Sequence, residues 1–245
     1  MKAAIIGYGK MGHAVEKFLL QRGHTVVCRI DCGNEADFNS PEFASADVAI
    51  EFSCPAAAVD NYRRAFAAGV PVVSGTTGWL EHRDEVEQMV ADAGATLLWT
   101  SNFSIGVNLF MRVNEYLARL MEGFPQYKAS LKEIHHIHKL DHPSGTAITL
   151  ASGIIGANSR YSAWAEPEGA DWKPAEDVIP VEHEREGEVP GTHIISWTSE
   201  VDRLTIGHEA FSRDGFALGA VLAAEWATAN PDRHGMLTMN DFLDF

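Results

Sequence analysis

The segment Glu133-Ile134-His135-His136-Ile137-His138-Lys139-Leu140-Asp141-His142-Pro143-Ser144-Gly145-Thr146-Ala147 places four imidazoles, a lysine and two carboxylates in fifteen residues. Imidazoles give and take protons near neutral pH, and lysine supplies a positive charge, so proton transfer beside a bound anion is the chemistry these residue types serve. Mixed apolar and polar residues from Tyr127 to Ile134 predict a half-buried strand. Pro143 ends any regular element, and Gly145 to Asn158 resumes with helical spacing. Ser144, Gly145 and Thr146 are then predicted to form the first helical turn, where unpaired N–H groups and the positive dipole end favour a carboxylate or phosphate. A metal site is the competing reading. Adjacent His135 and His136 on a strand point to opposite faces, and only a continued strand would put His136 and His138 on one face. No zinc-type spacing accompanies them, so no metal is expected.

The elements that position these residues belong to a chain of 245 residues, 46% hydrophobic, long enough for one large or two modest cores. Its 34 acidic against 19 basic side chains give a formal charge of −15, which opposes nucleic acid and anionic membrane as partners. Three cysteines, Cys28, Cys32 and Cys54, are too few and too irregular for a disulfide framework. Met1-Lys2 runs directly into an apolar strand, without a charged leader or a long apolar span, and a cytoplasmic location is expected.

Ala3-Ala4-Ile5-Ile6 reads as a buried strand entering Gly7-Tyr8-Gly9-Lys10-Met11-Gly12, with an amphipathic stretch from Ala14 to Gln21 behind it. This is a Gly-x-Gly-x-x-Gly turn in the strand–turn–helix context that binds a pyrophosphate. Asp31, at the end of a second strand from Thr25 to Ile30, stands where a carboxylate receives ribose hydroxyls and repels a 2′-phosphate. NADH is therefore expected ahead of NADPH, with Lys10 as the residue able to reach a phosphate. Strand and helix patterns alternate onward to Thr100, which indicates a doubly wound parallel sheet. Three loops follow its strands: Phe52-Ser53-Cys54-Pro55, Gly75-Thr76-Thr77-Gly78, and the run from Thr100 through Ser101, Asn102 and Phe103 to Ser104. They are expected to line the nicotinamide half of the cofactor.

The later chain changes pattern. A connecting helix is predicted from Ile105 to Met121, and strands from Tyr127 to His135, His193 to Thr198 and Arg203 to Glu209. Residues 159–190, rich in Glu, Pro, Gly and Trp, read as mostly loop, and an Ala-rich helix spans Phe216 to Ala229. The expected fold is α/β: a Rossmann-like domain of residues 1–104 plus 213–245, and an α+β substrate and oligomerisation domain of residues 105–212. Closure is expected about the segments near Ile105 and Ser212.

These motifs together resemble the 4-hydroxy-tetrahydrodipicolinate reductase family, also called dihydrodipicolinate reductase, of bacterial lysine and diaminopimelate synthesis. Phe52-Ser53-x-Pro55, Gly75-Thr76-Thr77-Gly78, Asn102-Phe103-Ser104-x-Gly106-Val107-Asn108, the Glu133–Ala147 segment, Gly191-Thr192-His193 and Arg213-x-Gly215-Phe216-Ala217-x-Gly219-Ala220 carry the likeness. The chain departs from the family in a glycine turn one residue shorter, in Lys10 where arginine is common, and in Asp31-Cys32 replacing an acidic–arginine pair. The resemblance implies NAD(P)H-dependent reduction of a cyclic dicarboxylate and a homotetramer. It implies His135 as acid, Lys139 as second donor, and His136, Ser144, Gly145 and Thr146 as substrate contacts. A related aspartate-type dehydrogenase would share the first domain without needing the His-His-x-x-Lys and Ser-Gly-Thr array. A non-catalytic dinucleotide sensor would bind NADH without turnover.

Overall fold

The computed structural model describes residues 1–169 and 171–245. In chain order the first elements are β1 (Lys2–Ile6), α1 (Lys10–Gln21), β2 (Thr25–Ile30), α2 (Pro41–Ala44), β3 (Val48–Glu51), α3 (Pro55–Ala67), β4 (Val72–Ser74), α4 (Arg83–Ala93) and β5 (Thr96–Trp99). There follow α5 (Ile105–Met121), β6 (Lys128–His135), α6 (Gly145–Ala157), β7 (Ala163–Ala165), β8 (Val178–Arg185), β9 (Gly191–Thr198) and β10 (Arg203–Ala210). The chain closes with α7 (Asp214–Ala229), β11 (Gly235–Leu237) and α8 (Met239–Leu243). Two compact units result: Met1–Ile105 with Asp214–Phe245, and Gly106–Arg213.

The first unit is the doubly wound sheet expected, with strand order β2-β1-β3-β4-β5-β11 and every pair parallel. Both faces are covered, which is why β1 is apolar at consecutive positions: Ala3 and Ile5 enter one core with Val15 and Leu19 of α1 and the alanines of α7. Ala4 and Ile6 enter the opposite core with Tyr62 and Phe66 of α3 and Val86 of α4. Strand order reverses between β1 and β3, and the turn after β1 begins with Gly7 at φ +86°. A side chain there would strike the Phe52 carbonyl, so only glycine lets the chains leaving β1 and β3 run this close. β11 adds a sixth strand that its three residues do not announce in sequence.

The second unit holds a mixed sheet, β10-β9-β6-β8-β7, antiparallel across β10, β9 and β6 and parallel across β6, β8 and β7. Residues 159–190, expected to be mostly loop, therefore contribute β7 and the eight-residue β8. Pro180 disguised β8: proline donates no ladder hydrogen bond and reads as a strand breaker, yet Ile179 and Val181 on either side of it are fully buried in the core. That core joins Ala129 and Leu131 of β6, Ile195 and Trp197 of β9, and Leu150, Ala151 and Ile154 of α6. Among the described residues no helix is long and apolar enough to cross a membrane.

Candidate active site

In the first unit the carboxyl ends of β1 to β4 carry two adjoining cavities. One, of about 290 Å³, is lined by Gly7, Gly9, Asp31, Cys32, Glu35, Phe52 and neighbouring residues. The other, of about 460 Å³, is lined by Gly9, Lys10, Met11, Phe52, Ser53, Gly75, Thr76 and Thr77 among others. Gly9 is the N-cap of α1 and supplies no side-chain cap, and a side chain at Gly9 would meet nothing within 4 Å. Open helix-start amides beside bare glycine backbone fit a pyrophosphate. Gly12 packs α1 onto the Gly7 carbonyl. At Gly75 a side chain would strike the Phe52 ring, so the loops after β3 and β4 meet at glycine.

A fully buried carboxylate holds those two loops. Glu51, the last residue of β3, accepts from Ser53 N–H (3.1 Å), the Ser53 hydroxyl, Thr76 Oγ1 (2.9 Å) and Ser74 Oγ (2.6 Å). Thr76 Oγ1 also receives Ser53 N–H at 2.8 Å, and the Thr76 carbonyl accepts both the Trp79 and Trp99 indole N–H groups at 2.9 and 2.8 Å. Glu51 was not singled out in sequence, where an acid at the end of an apolar strand looks like an exposed terminus.

Other residues expected to contact a cofactor are turned elsewhere. The Tyr8 hydroxyl bonds Glu16, and its ring lies 4.1 Å from that of His13 and under Arg29, so its side chain belongs to the outer face of α1. Phe103 is a core residue, 2% exposed, stacked edge-on to Phe52 at 5.9 Å. Thr100 Oγ1 donates to the Asn102 carbonyl and accepts its N–H, and Asn102 Oδ1 accepts Ser104 N–H at 2.9 Å. Thr100 and Asn102 thus shape their own turn, in which exposed Ser101 sits at the tip.

In the second unit one sheet face changes character along its strands. Leu131 of β6 pairs with Ile195 of β9 and Val181 of β8, all apolar and buried. Two residues further along β6, Glu133 pairs with His193 and His183, and beyond it His135 pairs with Arg185. Because side chains alternate with period two, these polar residues occupy the face that begins as hydrophobic core.

Glu133 is fully buried at the centre of this row. Its Oε2 accepts Ser144 N–H at 3.0 Å and lies 3.5 Å from His135 Nδ1 and 3.7 Å from His193 Nε2. Its Oε1 faces Arg185 at 3.4 Å. Burial pushes the carboxyl up, but His193, the Ser144 hydroxyl and N–H, and His135 together outweigh it and hold it at about 2. At 3.7 Å the His193 contact is long for a hydrogen bond, and the Ser144 N–H is the nearest donor. His135 is lowered as well: burial, helped by His193, Lys139 and Arg185, overrides the attraction of Glu133 and brings it to about 4, leaving it neutral at pH 7.

Ser144 is the N-cap of α6, not a residue of its first turn: its Oγ accepts Ala147 N–H at 3.1 Å and lies 3.1 Å from His193 Nε2. Its polar atoms are thus engaged within the protein, leaving Gly145 and Thr146 as the helix-start amides. Lys139 Nζ bonds both Asp141 oxygens at 2.6 and 2.7 Å, while Arg185 donates to the Lys139 and Asp141 carbonyls at 3.2 and 2.8 Å and so props that turn. The strand ends at His135, so His136 and His138 lie in the turn that follows. The buried Nδ1 atoms of His135 and His136 have no hydrogen-bond partner among the described residues; that of His135 faces the Glu133 carboxylate at 3.5 Å.

The sequence places Glu133 and His193 in motifs without giving either an individual role, and it does not mark Arg185. Hydropathy puts Ile134 inward and Glu133 outward, and only the phase set by Ala129 and Leu131 reverses this. Glu133, His135 and His193 each bring a ligand-type atom within 4.8 Å of the others, but the Arg185 guanidinium beside the carboxylate favours a proton-handling group over a cation site.

Comparison with known proteins follows the same division. The family described as dihydrodipicolinate reductase matches with its N-terminal part over residues 1–103 and with its C-terminal part over residues 106–243. The 4-hydroxy-tetrahydrodipicolinate reductase of Christiangramia forsetii is 44% identical, covering 99% of this chain and 98% of that protein. The enzyme of that name from Archaeoglobus fulgidus is 35% identical over the full length of both. A dipicolinate-bound dihydrodipicolinate reductase from Paenisporosarcina sp. TG-14 shares the fold, with a TM-score of 0.77 at 19% identity and 97% of each chain covered.

A neutral, buried His135 has a direct signature. Its ¹³Cε1 resonance is expected to keep the neutral-imidazole shift from pH 8 to about pH 5 and to titrate near 4. A midpoint at the ordinary value of 6.5 would contradict the buried-neutral assignment.

Proposed function

This chain belongs to the dihydrodipicolinate reductase family, and we propose from that premise that the polar row of the second unit is where its substrate is reduced. The reaction is NAD(P)H-dependent: (4S)-4-hydroxy-2,3,4,5-tetrahydrodipicolinate, hydride and a proton give tetrahydrodipicolinate and water, a step of lysine and diaminopimelate biosynthesis. The observation that carries the site reading is His135, neutral, with Nδ1 3.5 Å from ionised Glu133 and with the cations Lys139 and Arg185 beside them.

The nicotinamide, when bound, supplies the hydride. The cradle for it is the first unit's glycine turn with Gly7, Gly9, Lys10, Met11 and Gly12, together with Asp31, Phe52, Ser53, Gly75, Thr76 and Thr77. Two carboxylates, Asp31 and Glu35, line the ribose end of this cavity, which favours NADH over NADPH by repelling a 2′-phosphate.

The substrate is a dianion, and the chain's net charge of −15 requires local cations to hold it. Lys139, the Gly145 and Thr146 amides and His136 are the groups assigned to its carboxylates; Ser144 positions that helix start. Two substrate charges placed among Lys139, Arg185 and His193 reverse the balance that keeps His135 deprotonated, so His135 takes up a proton as the substrate binds. The ring hydroxyl leaves with an adjacent ring proton as water; hydride addition to the resulting unsaturated ring would leave it electron-rich, and His135 gives that ring its proton while Glu133 steadies the imidazolium. Lys139 is the second donor and holds the developing charge.

A cytoplasmic homotetramer is part of the proposal. Support comes from α5, whose exposed Leu109, Val113, Tyr116 and Leu120 recur at helical spacing as an apolar stripe.

Binding of dipicolinate at pH 7, measured by calorimetry in buffers of different ionisation enthalpy, is expected to take up close to one proton per site. His135→Gln is expected to abolish the uptake and lower turnover ~10²–10⁴-fold with NADH binding intact. Near-normal turnover would remove His135 from the acid role. Lys139→Met is expected to damage turnover and substrate binding together. In fluorescence titrations NADPH is expected to bind ~10-fold more weakly than NADH, and equal affinities would refute the Asp31/Glu35 reading. Light scattering is expected to give four chains per particle.

A further inference from the structure

The polar row does not stop at Glu133. One strand further from β9, His183 of β8 lies beside Glu133 in the parallel ladder, on the same sheet face, and reaches Glu166, which follows β7 directly. His142, two residues before Ser144, approaches the same carboxylate. Glu166 Oε1 lies 2.7 Å from His183 Nδ1 and 2.9 Å from His142 Nδ1. Among the described residues Glu166 forms ion pairs with these two imidazoles alone, so no lysine or arginine neutralises it as Arg185 does Glu133.

We infer that His142, Glu166 and His183 form a binding site for a divalent transition-metal ion of the zinc class. Two imidazoles and a carboxylate, with one position left for water, are a donor set that suits Zn²⁺ and its relatives. One donor atom from each residue already lies within 4.8 Å of the other two. Tetrahedral bonds of about 2.0 Å put ligand atoms about 3.3 Å apart, so both present N···O distances need open by only about half an ångström.

The two rings stack with centroids 4.1 Å apart and planes 18° from parallel, and must turn about χ2 for their Nδ1 lone pairs to converge. Their side chains are 49% and 35% exposed, so rotation meets little packing. Both rings must be neutral to bind, which makes the affinity fall in acid. The three ligands come from β8, the segment after β7 and the turn before α6. A bound ion ties residue 142 to the sheet and thereby steadies the Ser144 cap, without touching Glu133, His135 or Lys139. The inference is independent of the reductase reading.

Titration of the intact protein with Co²⁺, followed by visible absorption and by displacement with Zn²⁺, tests this site. One ion per chain is expected at micromolar concentration, with the intense bands of a four-coordinate N/O environment. His183→Ala and Glu166→Gln are expected to weaken it ~100-fold, while thermal unfolding and NADH binding show both variants folded. Zn²⁺ is expected to raise the melting temperature of the parent protein and not of the variants. Absence of micromolar Co²⁺ binding, or bands unchanged in the His142→Ala/His183→Ala double variant, would overturn the site; the latter would move the ion to Glu133, His135 and His193.

Discussion

An ionised carboxylate with no access to water costs several kcal/mol unless donors surround it, and Glu133 is such a group. Much of the second unit follows from meeting that cost. Ser144 must cap α6 where its N–H reaches Oε2, and Arg185 must stand on β8, opposite His135 in the ladder. His193 must come from the antiparallel neighbour. Three strands and one helix start are thus brought to register by a single side chain. Burial first, and the nearby Lys139 and Arg185 second, keep His135 deprotonated beside that carboxylate.

The first unit also buries an acid, and holds it differently. Glu51 is equally buried, yet its partners are neutral hydroxyls and an amide from Ser53, Ser74 and Thr76. Neutral donors fix geometry without bringing a cation to this carboxyl group. The two buried acids therefore do different work: Glu51 locks a pair of loops, and Glu133 tunes an imidazole.

Legibility in sequence divided along physical lines. The glycine turn, Asp31 and the parallel alternation were readable because strand, turn and helix follow one another locally and Gly7 has no substitute at its backbone geometry. The helix start at Gly145 and Thr146 was readable because Pro143 ends the preceding segment and Ser144 is a good N-cap residue. The side-chain directions of Tyr8 and Phe103 are not legible, because a motif fixes the backbone path while side-chain direction depends on distant partners, Glu16 for one and the core at Phe52 for the other. The relation of Arg185 and His193 to Glu133 is not legible because it exists only across strands, and Pro180 hides the strand that carries Arg185.

The Thr76 carbonyl, which takes the indole N–H groups of both Trp79 and Trp99, has an optical consequence. The two rings meet edge to face at 5.5 Å, directly behind the loop that lines the larger glycine-turn cavity. Indole emission responds to hydrogen bonding at its nitrogen, so any shift of that carbonyl registers in two fluorophores together. The fold thereby couples two of its six indoles to the backbone of the Gly75–Gly78 loop.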